Sequence, residues 1–190
     1  MRTLISTAFI SLDGVVEDPG GQSDYRNGGW TFKSVDFVPE AYTIKGSEQM
    51  ESSAILLGRK SYQMFAPVWP NMDEFAHYNL LPKYVVSTTL TDDDLVDNWG
   101  PTSILRSLDE VSALKESEGG PIIVHGSADL NHSLADADLI DRYNLLVFPL
   151  LLGAGQRLFG DSDKDTQKLK LVDSEVFSNG IQKNVFDVIH

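Results

Sequence analysis

The chain has 190 residues, of which 42% are hydrophobic and 23% are charged, and it contains no cysteine. These values are ordinary for a globular protein with a sizeable core, and the missing thiols exclude disulfides, thiolate metal sites and cysteine nucleophiles. The formal net charge of -13 argues against a nucleic acid or an anionic membrane as a partner, because the long-range field repels phosphate.

No targeting or membrane segment is expected. The first three residues lead directly into a strand-like stretch, and no apolar run is long enough to span a bilayer. The length favours one domain over residues 1–190. We therefore expect a single cytoplasmic domain.

A strand and a long loop open the chain. Leu4 to Leu12 is rich in β-branched and apolar residues, which predicts a first, central strand that Asp13-Gly14 ends. Glu17 to Thr31 is rich in small polar residues, glycine and proline and predicts a long loop, either a lid over a site or an exposed connection. Pro39 to Ser52 is typical of a helix with proline in its first turn. Its candidates for burial are the apolar residues Ala41, Ile44 and Met50.

The next strand ends in a glycine that two cations follow. Ala54 to Leu57 predicts a short buried strand, and Gly58 comes directly before Arg59, Lys60 and Ser61, with a helix beginning near Tyr62. Cations at a helix start can hold a phosphate by charge and donor geometry, while the helix terminus adds its dipole. Ordinary solvated charges are the alternative interpretation.

A third strand is predicted from Lys83 to Ser87. It ends in hydroxyl side chains, Ser87 and Thr88, which can bind a ligand or cap a turn. Farther on, Ser107 with Glu110 matches a capping box that would open a helix over Leu108 to Glu116.

A strand–helix–strand unit occupies the middle of the second half. Ile122 to Val124 predicts a buried strand, and the turn His125-Gly126-Ser127 leads into a helix with Ser127 as its N-cap. Arg142 to Phe148 predicts the strand after it, so the unit should cross over right-handed into a parallel sheet. The helix start beside a glycine predicts an anion site for a phosphate-bearing cofactor. The apolar face of that helix consists of Leu130, Leu134 and Ala137.

The chain should end in a hairpin. Gly153 to Gly155 is typical of a turn, and Asp161 to Gln167 predicts a polar loop. Lys168 to Phe177 and Ile181 to Ile189 predict two strands joined by Ser178-Asn179-Gly180, where Asn-Gly is a strong hairpin signal. Antiparallel pairing is therefore expected at one side of the sheet.

Several other chemistries are not indicated. No P-loop or G-x-S-x-G pattern occurs, and Gly153 to Leu158 has only the first half of a dinucleotide fingerprint. The histidines show no metal-ligand spacing, so we expect no metal site. These histidines are His77, His125, His132 and His190.

With these motifs identified, the chain resembles the dihydrofolate reductase superfamily. It is most similar to the small reductases related to the C-terminal domain of the bifunctional riboflavin-biosynthesis deaminase-reductase. The matching segments occur in family order and cover nearly the whole chain. They are Ser11–Val15, Leu57–Tyr62, Lys83–Ser87, Val124–Ser127, Leu139–Asp141 and Pro149–Gly155.

The resemblance implies a three-layer α/β fold with a mixed, mostly parallel sheet and a C-terminal antiparallel hairpin. It also implies that NADPH binds along the carboxyl ends of the strands and that the protein is a homodimer. Arg59 and Lys60 would favour the cofactor's 2′-phosphate, while many dihydrofolate reductases carry two glycines where this chain has His125-Gly126. The cofactor positions implied are Gly58, Arg59, Lys60 and Ser61 for phosphate, Ser87 and Thr88 for adenosine, and His125, Gly126, Ser127 and Ala128 for pyrophosphate.

The activity implied is hydride transfer from NADPH to a small heterocyclic substrate, such as a pterin or a ribosylaminopyrimidine, or to a carbonyl compound. The candidate proton donors are Asp36, Glu40 and Asp13. A planar ring could stack on aromatic side chains, although core or lid packing is the more common role of any one such residue. A non-catalytic protein that binds a nucleotide or another ligand is the alternative. The aromatic candidates are Trp30, Phe32, Phe65 and Trp69.

Overall fold

A single eight-stranded sheet organises the structure, a computed structural model that describes residues 1–160 and 166–190. Most of the polar loop predicted from Asp161 lies outside the described residues. The strands are β1 (Leu4–Ser11), β2 (Ala54–Gly58), β3 (Lys83–Val86), β4 (Thr102–Leu105), β5 (Ile122–His125), β6 (Arg142–Phe148), β7 (Lys168–Val176) and β8 (Gln182–Ile189).

The sheet is mixed and mostly parallel. Its spatial order is β4-β3-β2-β5-β1-β6-β8-β7, and every pair from β4 to β6 is parallel. The last two pairs, β6 with β8 and β8 with β7, are antiparallel. At the predicted Asn-Gly turn, Gly180 has a φ of 83°, which glycine adopts without strain. The predicted parallel sheet and terminal hairpin are both confirmed.

Within residues 1–160 and 166–190, six short α-helices accompany the sheet, and none of them is long and apolar enough to cross a bilayer. They are α1 (Trp30–Lys33), α2 (Thr43–Glu51), α3 (Arg59–Phe65), α4 (Ala76–Leu80), α5 (Leu108–Glu116) and α6 (Ala128–Asp136). The described part of the chain also has four single 3₁₀ turns, at Pro39–Tyr42, Trp69–Asn71, Asp73–Phe75 and Asp92–Asp94.

Alternating strand residues bury the two faces of the sheet in separate clusters. Leu4, Leu56 and Val124 pack in one cluster with Val111 of α5 and Leu134 of α6. The opposite face packs against α3 and α4, so helices cover both sides and the predicted three-layer α/β fold is confirmed. On that face the strand residues Ile5, Ile55 and Ile123 meet Tyr62 and Tyr78.

Three expectations about local structure were incomplete or wrong. Strand β4 and helix α4 were not predicted. Strand β4 is a half-buried edge strand of four residues, and α4 has only five residues, too few for a helical pattern to stand out. Met50 and Ala137 were predicted to be buried and are exposed. In α2 the fully buried residue is the charged Glu48, while Ile44 is only partly buried against a hydrophobic cluster.

Lys83 is a buried lysine outside the cavity described below, and it makes stability depend on pH. Its side chain is 0% exposed, and its Nζ donates to the Asn79 carbonyl at 2.7 Å. Burial lowers the pKa of Lys83 from 10.5 to about 8.

In the native state Lys83 loses its proton above about pH 8, whereas in the unfolded chain it keeps this proton up to about pH 10.5. The free energy of unfolding therefore increases as pH rises from about 8 to 10.5. We expect wild type to gain about 1–3 kcal/mol between pH 7.5 and pH 10 relative to Lys83→Met, as measured by urea unfolding of both proteins. Parallel stability profiles for the two proteins would contradict this assignment.

Candidate functional site

A cavity of about 880 Å³ opens at the carboxyl ends of the central parallel strands. Its walls come from β1, from the turns that follow β2, β3 and β5, and from the loop after β1. Such crevices are where open α/β sheets bind ligands. All ten predicted cofactor positions line it, namely Gly58, Arg59, Lys60, Ser61, Ser87, Thr88, His125, Gly126, Ser127 and Ala128.

The two glycine turns after β2 and β5 lie side by side. Strands β2 and β5 are parallel neighbours, and the Ser127 hydroxyl joins the turns that follow them. Its Oγ accepts from the Gly58 N–H at 2.8 Å and donates to Ser61 Oγ at 2.7 Å. Ser127 is the N-cap residue of α6, as predicted, but its φ is 64° and its side chain makes no capping hydrogen bond. The hydroxyl links the two turns instead.

Gly126 provides the close approach between these turns. Its φ is 60°, and a Cβ there would lie 2.9 Å from Ser61 Oγ and 3.4 Å from Phe65 Cζ. A side chain would therefore be strained and would also fill space between the turns that follow β2 and β5.

We expect Gly126→Ala to lower the free energy of unfolding by about 1–3 kcal/mol and to weaken binding of NADPH, the cofactor that the resemblance implies, at least tenfold. Gly46→Ala is the matched control, since a Cβ at that helical position meets nothing within 4 Å. That control should gain about 0.5–1 kcal/mol and bind NADPH normally. Thermal unfolding and fluorescence titration measure both effects, and equal behaviour of the two variants would contradict the role of Gly126.

Arg59 and Lys60 present exposed cationic ends at the first of these turns. Lys60 Nζ lies 3.4 Å from Asp129 Oδ2, and the exposed fractions of their side chains are 67% and 71%. Arg59 Nη1 lies 3.3 Å from Gln63 Oε1. Contacts this long and exposed hold the two side chains weakly, so both can turn to meet a phosphate. The Ser87 hydroxyl is already hydrogen-bonded within the protein, because its Oγ accepts from the backbone N–H groups of Thr89 and Leu90.

His125 is neutral and directed into the protein. Its Nε2 lies 3.0 Å from the Tyr78 hydroxyl, and its ring packs edge-on against Trp69. Burial, with a smaller contribution from the nearby Lys45 ammonium, lowers the pKa of His125 from 6.5 to about 3. At neutral pH its side chain therefore offers no positive charge to a pyrophosphate, and only its backbone can serve the predicted anion site.

A polar cluster that the sequence did not predict adjoins the cavity. Glu48 on α2 is 4% exposed, and its carboxylate accepts from Thr7 Oγ1 on β1 and Asn144 Nδ2 on β6, each at 2.8 Å. Lys45 Nζ lies 3.2 Å from Glu48 Oε2 and also contacts Thr7 Oγ1. Lys45 and Thr7 line the cavity. The available signal was a threonine inside an apolar strand together with a lysine and a glutamate three residues apart on one helix.

The three carboxylates predicted as proton donors do not line the cavity. Asp13 holds a turn, because it accepts from Ser11 Oγ at 2.6 Å and from the backbone N–H groups of Leu152 and Gly153. These hydrogen bonds, led by the one from Ser11, lower the pKa of Asp13 from 3.8 to about 2. Asp36 and Glu40 are exposed at the surface. Their placement does not favour a role in proton transfer.

The predicted aromatic candidates divide between core and cavity. Trp30 is 1% exposed and belongs to the core, where its Nε1 donates to the Glu17 carbonyl. Phe65, Trp69 and Phe75 form a parallel stack in the cavity wall, with ring centroids 4.3 and 4.2 Å apart. Phe32 also lines the cavity and is 63% exposed.

The loop after β1 is held in a defined shape. Buried Asp18 accepts from the backbone N–H of Gln22 at 2.6 Å and from the hydroxyl of Ser23 at 2.9 Å. Its own carbonyl accepts from the Gly29 N–H, and Thr31 Oγ1 donates to the Pro19 carbonyl. The loop therefore lines the cavity, as the lid interpretation expected, and its hydrogen bonds hold it in place.

Within residues 1–160 and 166–190, no group of three or more acidic or histidine side chains could hold a metal ion.

Comparison with known proteins agrees with this architecture. Residues 2–183 match the family model described as RibD C-terminal domain. The uncharacterized protein YyaP of Bacillus subtilis is 29% identical over 192 residues, which cover 97% of this chain and 94% of that protein.

Solved structures show the same fold. A putative riboflavin biosynthesis protein from Shewanella sp. PV-4 has a TM-score of 0.77 at 21% identity, and the match covers both chains completely. Dihydrofolate reductase from Enterococcus faecalis, solved as a complex with NADP(H), has a TM-score of 0.60 at 14% identity, with 99% of this chain and 97% of that chain covered. The expected dihydrofolate-reductase-like fold is confirmed.

Proposed function

The chain belongs to the RibD C-terminal domain family, and on that premise we propose that it is a single-domain, NADPH-dependent reductase of a small heterocyclic or carbonyl compound. One observation carries the proposal: the glycine turns after β2 and β5 adjoin, share the Ser127 hydroxyl and face one cavity. A nucleotide with several phosphates is the ligand that such a pair of turns suits best.

The residues of the cavity fit this cofactor. Gly126 leaves room for a close approach, and the exposed ends of Arg59 and Lys60 offer charge for the 2′-phosphate. Thr88 and Ala128 line the same cavity beside them. When bound, NADPH supplies a hydride, and the protein contributes orientation, exclusion of water and a proton.

Lys45 is the group we propose for proton delivery to the substrate. Its Nζ is the one ammonium in the cavity wall outside the phosphate-binding turns, among the residues that the structure describes. Thr7 Oγ1 and the Glu48 carboxylate fix its position, and Asn144 holds Glu48 in turn. A positioned proton donor of this kind contributes about 10²–10⁴-fold to the rate of a proton transfer. Glu48 would keep the site neutral overall while the ammonium carries its proton.

Titration of NADPH fluorescence tests the proposal, followed by oxidation assays with pterins, ribosylaminopyrimidines and reactive carbonyl compounds. We expect saturable binding of NADPH and turnover of at least one compound. Binding without turnover of any compound would favour a non-catalytic nucleotide-binding protein. A lack of NADPH binding would remove both functions.

The proposal includes a homodimer. Strand β7 lies at the edge of the sheet and is exposed along its whole length. Leu171 and Val176 are 51% and 72% exposed there, and an unpaired apolar edge is a template for another strand. Light scattering coupled to size-exclusion chromatography should give twice the mass of the 21.0 kDa chain. A monomeric mass at micromolar concentration would refute this part of the proposal.

A further inference from the structure

The cavity has two halves with different chemistry. The phosphate-binding turns after β2 and β5 form the first half, which carries Arg59 and Lys60. The second half, called here the substrate half, is lined by Phe9, Phe32, Lys45, Trp69, Met72 and Phe75. Helix α2 borders this half. Its Lys45 Nζ lies 5.2 Å from the centre of the Phe9 ring, and its Gln49 Nε2 donates to the carbonyl of Glu74, the neighbour of Phe75, at 3.0 Å.

The walls of the substrate half suit a flat ring. Trp69 is sandwiched between Phe65 and Phe75, with 14° and 15° between the ring planes, so its faces are covered and the stack ends in the substrate half with Phe75. Phe32 stacks on Tyr42 with 9° between the ring planes. Aromatic walls of this type bind planar compounds through dispersion and desolvation, without requiring charge on the ligand.

The charges of the substrate half are unfavourable for an anion. Among the lining residues that the structure describes, Lys45 is the cation of this half, and Glu48 already pairs with it at 3.2 Å. Three acidic residues also line the cavity: the carboxylates of Glu17 and Asp18 accept from the backbone N–H groups of Gln156 and Gln22, and Glu74 is exposed. An anionic substituent would therefore meet an acidic lining whose nearby ammonium, Lys45, is already compensated, in a protein whose formal net charge is -13.

We propose that the substrate half selects an uncharged flat heterocycle or conjugated carbonyl compound and discriminates against substrates that carry a phosphate or carboxylate group. This inference rests on the proposed reductase function, because it assigns the first half to NADPH. It narrows the substrate class: the site is suited to an unphosphorylated ring, and a negatively charged side group would have no cation to receive it.

Matched pairs of fluorescent ring compounds test this selectivity. Binding of pterin and pterin-6-carboxylate, and of riboflavin and riboflavin 5′-phosphate, is titrated on protein saturated with NADP⁺ at low ionic strength. We expect the uncharged member of each pair to bind at least tenfold more tightly, and 0.5 M NaCl to narrow that ratio because salt screens the carboxylates. Equal or tighter binding of a charged member, or a lack of binding by both uncharged members, would overturn the proposal.

A charge-reversal variant assigns the effect to the cavity. Glu74→Lys should tighten riboflavin 5′-phosphate at least fivefold and leave riboflavin within twofold. Glu51→Lys is the control, since Glu51 is also exposed but does not line the cavity. An equal effect of both variants would mean that the overall charge of the protein, and not the substrate half, sets the preference, which would overturn the proposal.

Failure of this inference can be told apart from failure of the reductase proposal. The reductase proposal depends on NADPH binding and turnover, whereas the ratio within each pair can also be measured on protein without cofactor. Normal NADPH binding with an inverted pair ratio would reject only the substrate class.

Discussion

Lys45→Met is expected to abolish most of the reductase activity while leaving cofactor binding intact. The substitution removes the proposed proton donor, so kcat with the best compound of the panel should fall about 10²–10⁴-fold. NADPH affinity should stay within threefold, because Lys45 lies outside the phosphate-binding turns. Stopped-flow measurement of NADPH oxidation and fluorescence titration separate the two quantities.

Two companion variants separate proton delivery from charge. Lys45→Met leaves Glu48 buried without its cation, which should cost about 3–5 kcal/mol of stability. Lys45→Met combined with Glu48→Gln should recover much of that stability but no activity. Lys45→Arg keeps a cation beside Glu48 but cannot release a proton at neutral pH. If Lys45→Arg turned over like wild type, Lys45 would not be the proton donor.

Removal of the two cations after β2 should change the cofactor preference. We expect Arg59→Ala combined with Lys60→Ala to weaken NADPH about 10²-fold or more and NADH less than threefold. The reason is that the double variant loses the two proposed charge-assisted contacts to the 2′-phosphate, each worth about 1.5–3 kcal/mol, and NADH has no such phosphate. Competitive titration of both nucleotides gives the two ratios.

Two single variants serve as controls for this experiment. Asp129→Asn removes the carboxylate 3.4 Å from Lys60 and should tighten NADPH a few-fold. Lys170→Ala removes a cation from the exposed edge strand β7 and should change neither nucleotide. Equal losses for NADPH and NADH in the double variant would remove Arg59 and Lys60 from recognition of the 2′-phosphate.

The main chain of the site could be predicted from sequence because local patterns specify it. Apolar runs followed by glycine identified β2 and β5 and the turns after them, and the structure places these turns side by side. Their adjacency follows from parallel pairing, which brings the carboxyl ends of strands to one edge.

The side chains of the site were harder to predict because long-range contacts decide their roles. Ser127 has the residue type of an N-cap, but its left-handed backbone directs the hydroxyl to Gly58, 69 residues away in the chain. Glu48 looks like a solvent-facing helix residue and is buried because Thr7 and Asn144 satisfy it. The partners of these two side chains are not visible from the local sequence, since each lies on a strand far away in the chain.

The hydrogen bonds around Asp18 also bear on the speed of ligand capture. A segment that must first fold over its ligand loses conformational freedom at that moment, which slows association and weakens it. Here the carboxylate of Asp18, the carbonyl of Pro19 and the indole of Trp30 have already fixed that segment in the free protein. Ligands should therefore enter a preformed crevice in a single kinetic phase whose rate rises linearly with their concentration, as expected for a rigid receptor.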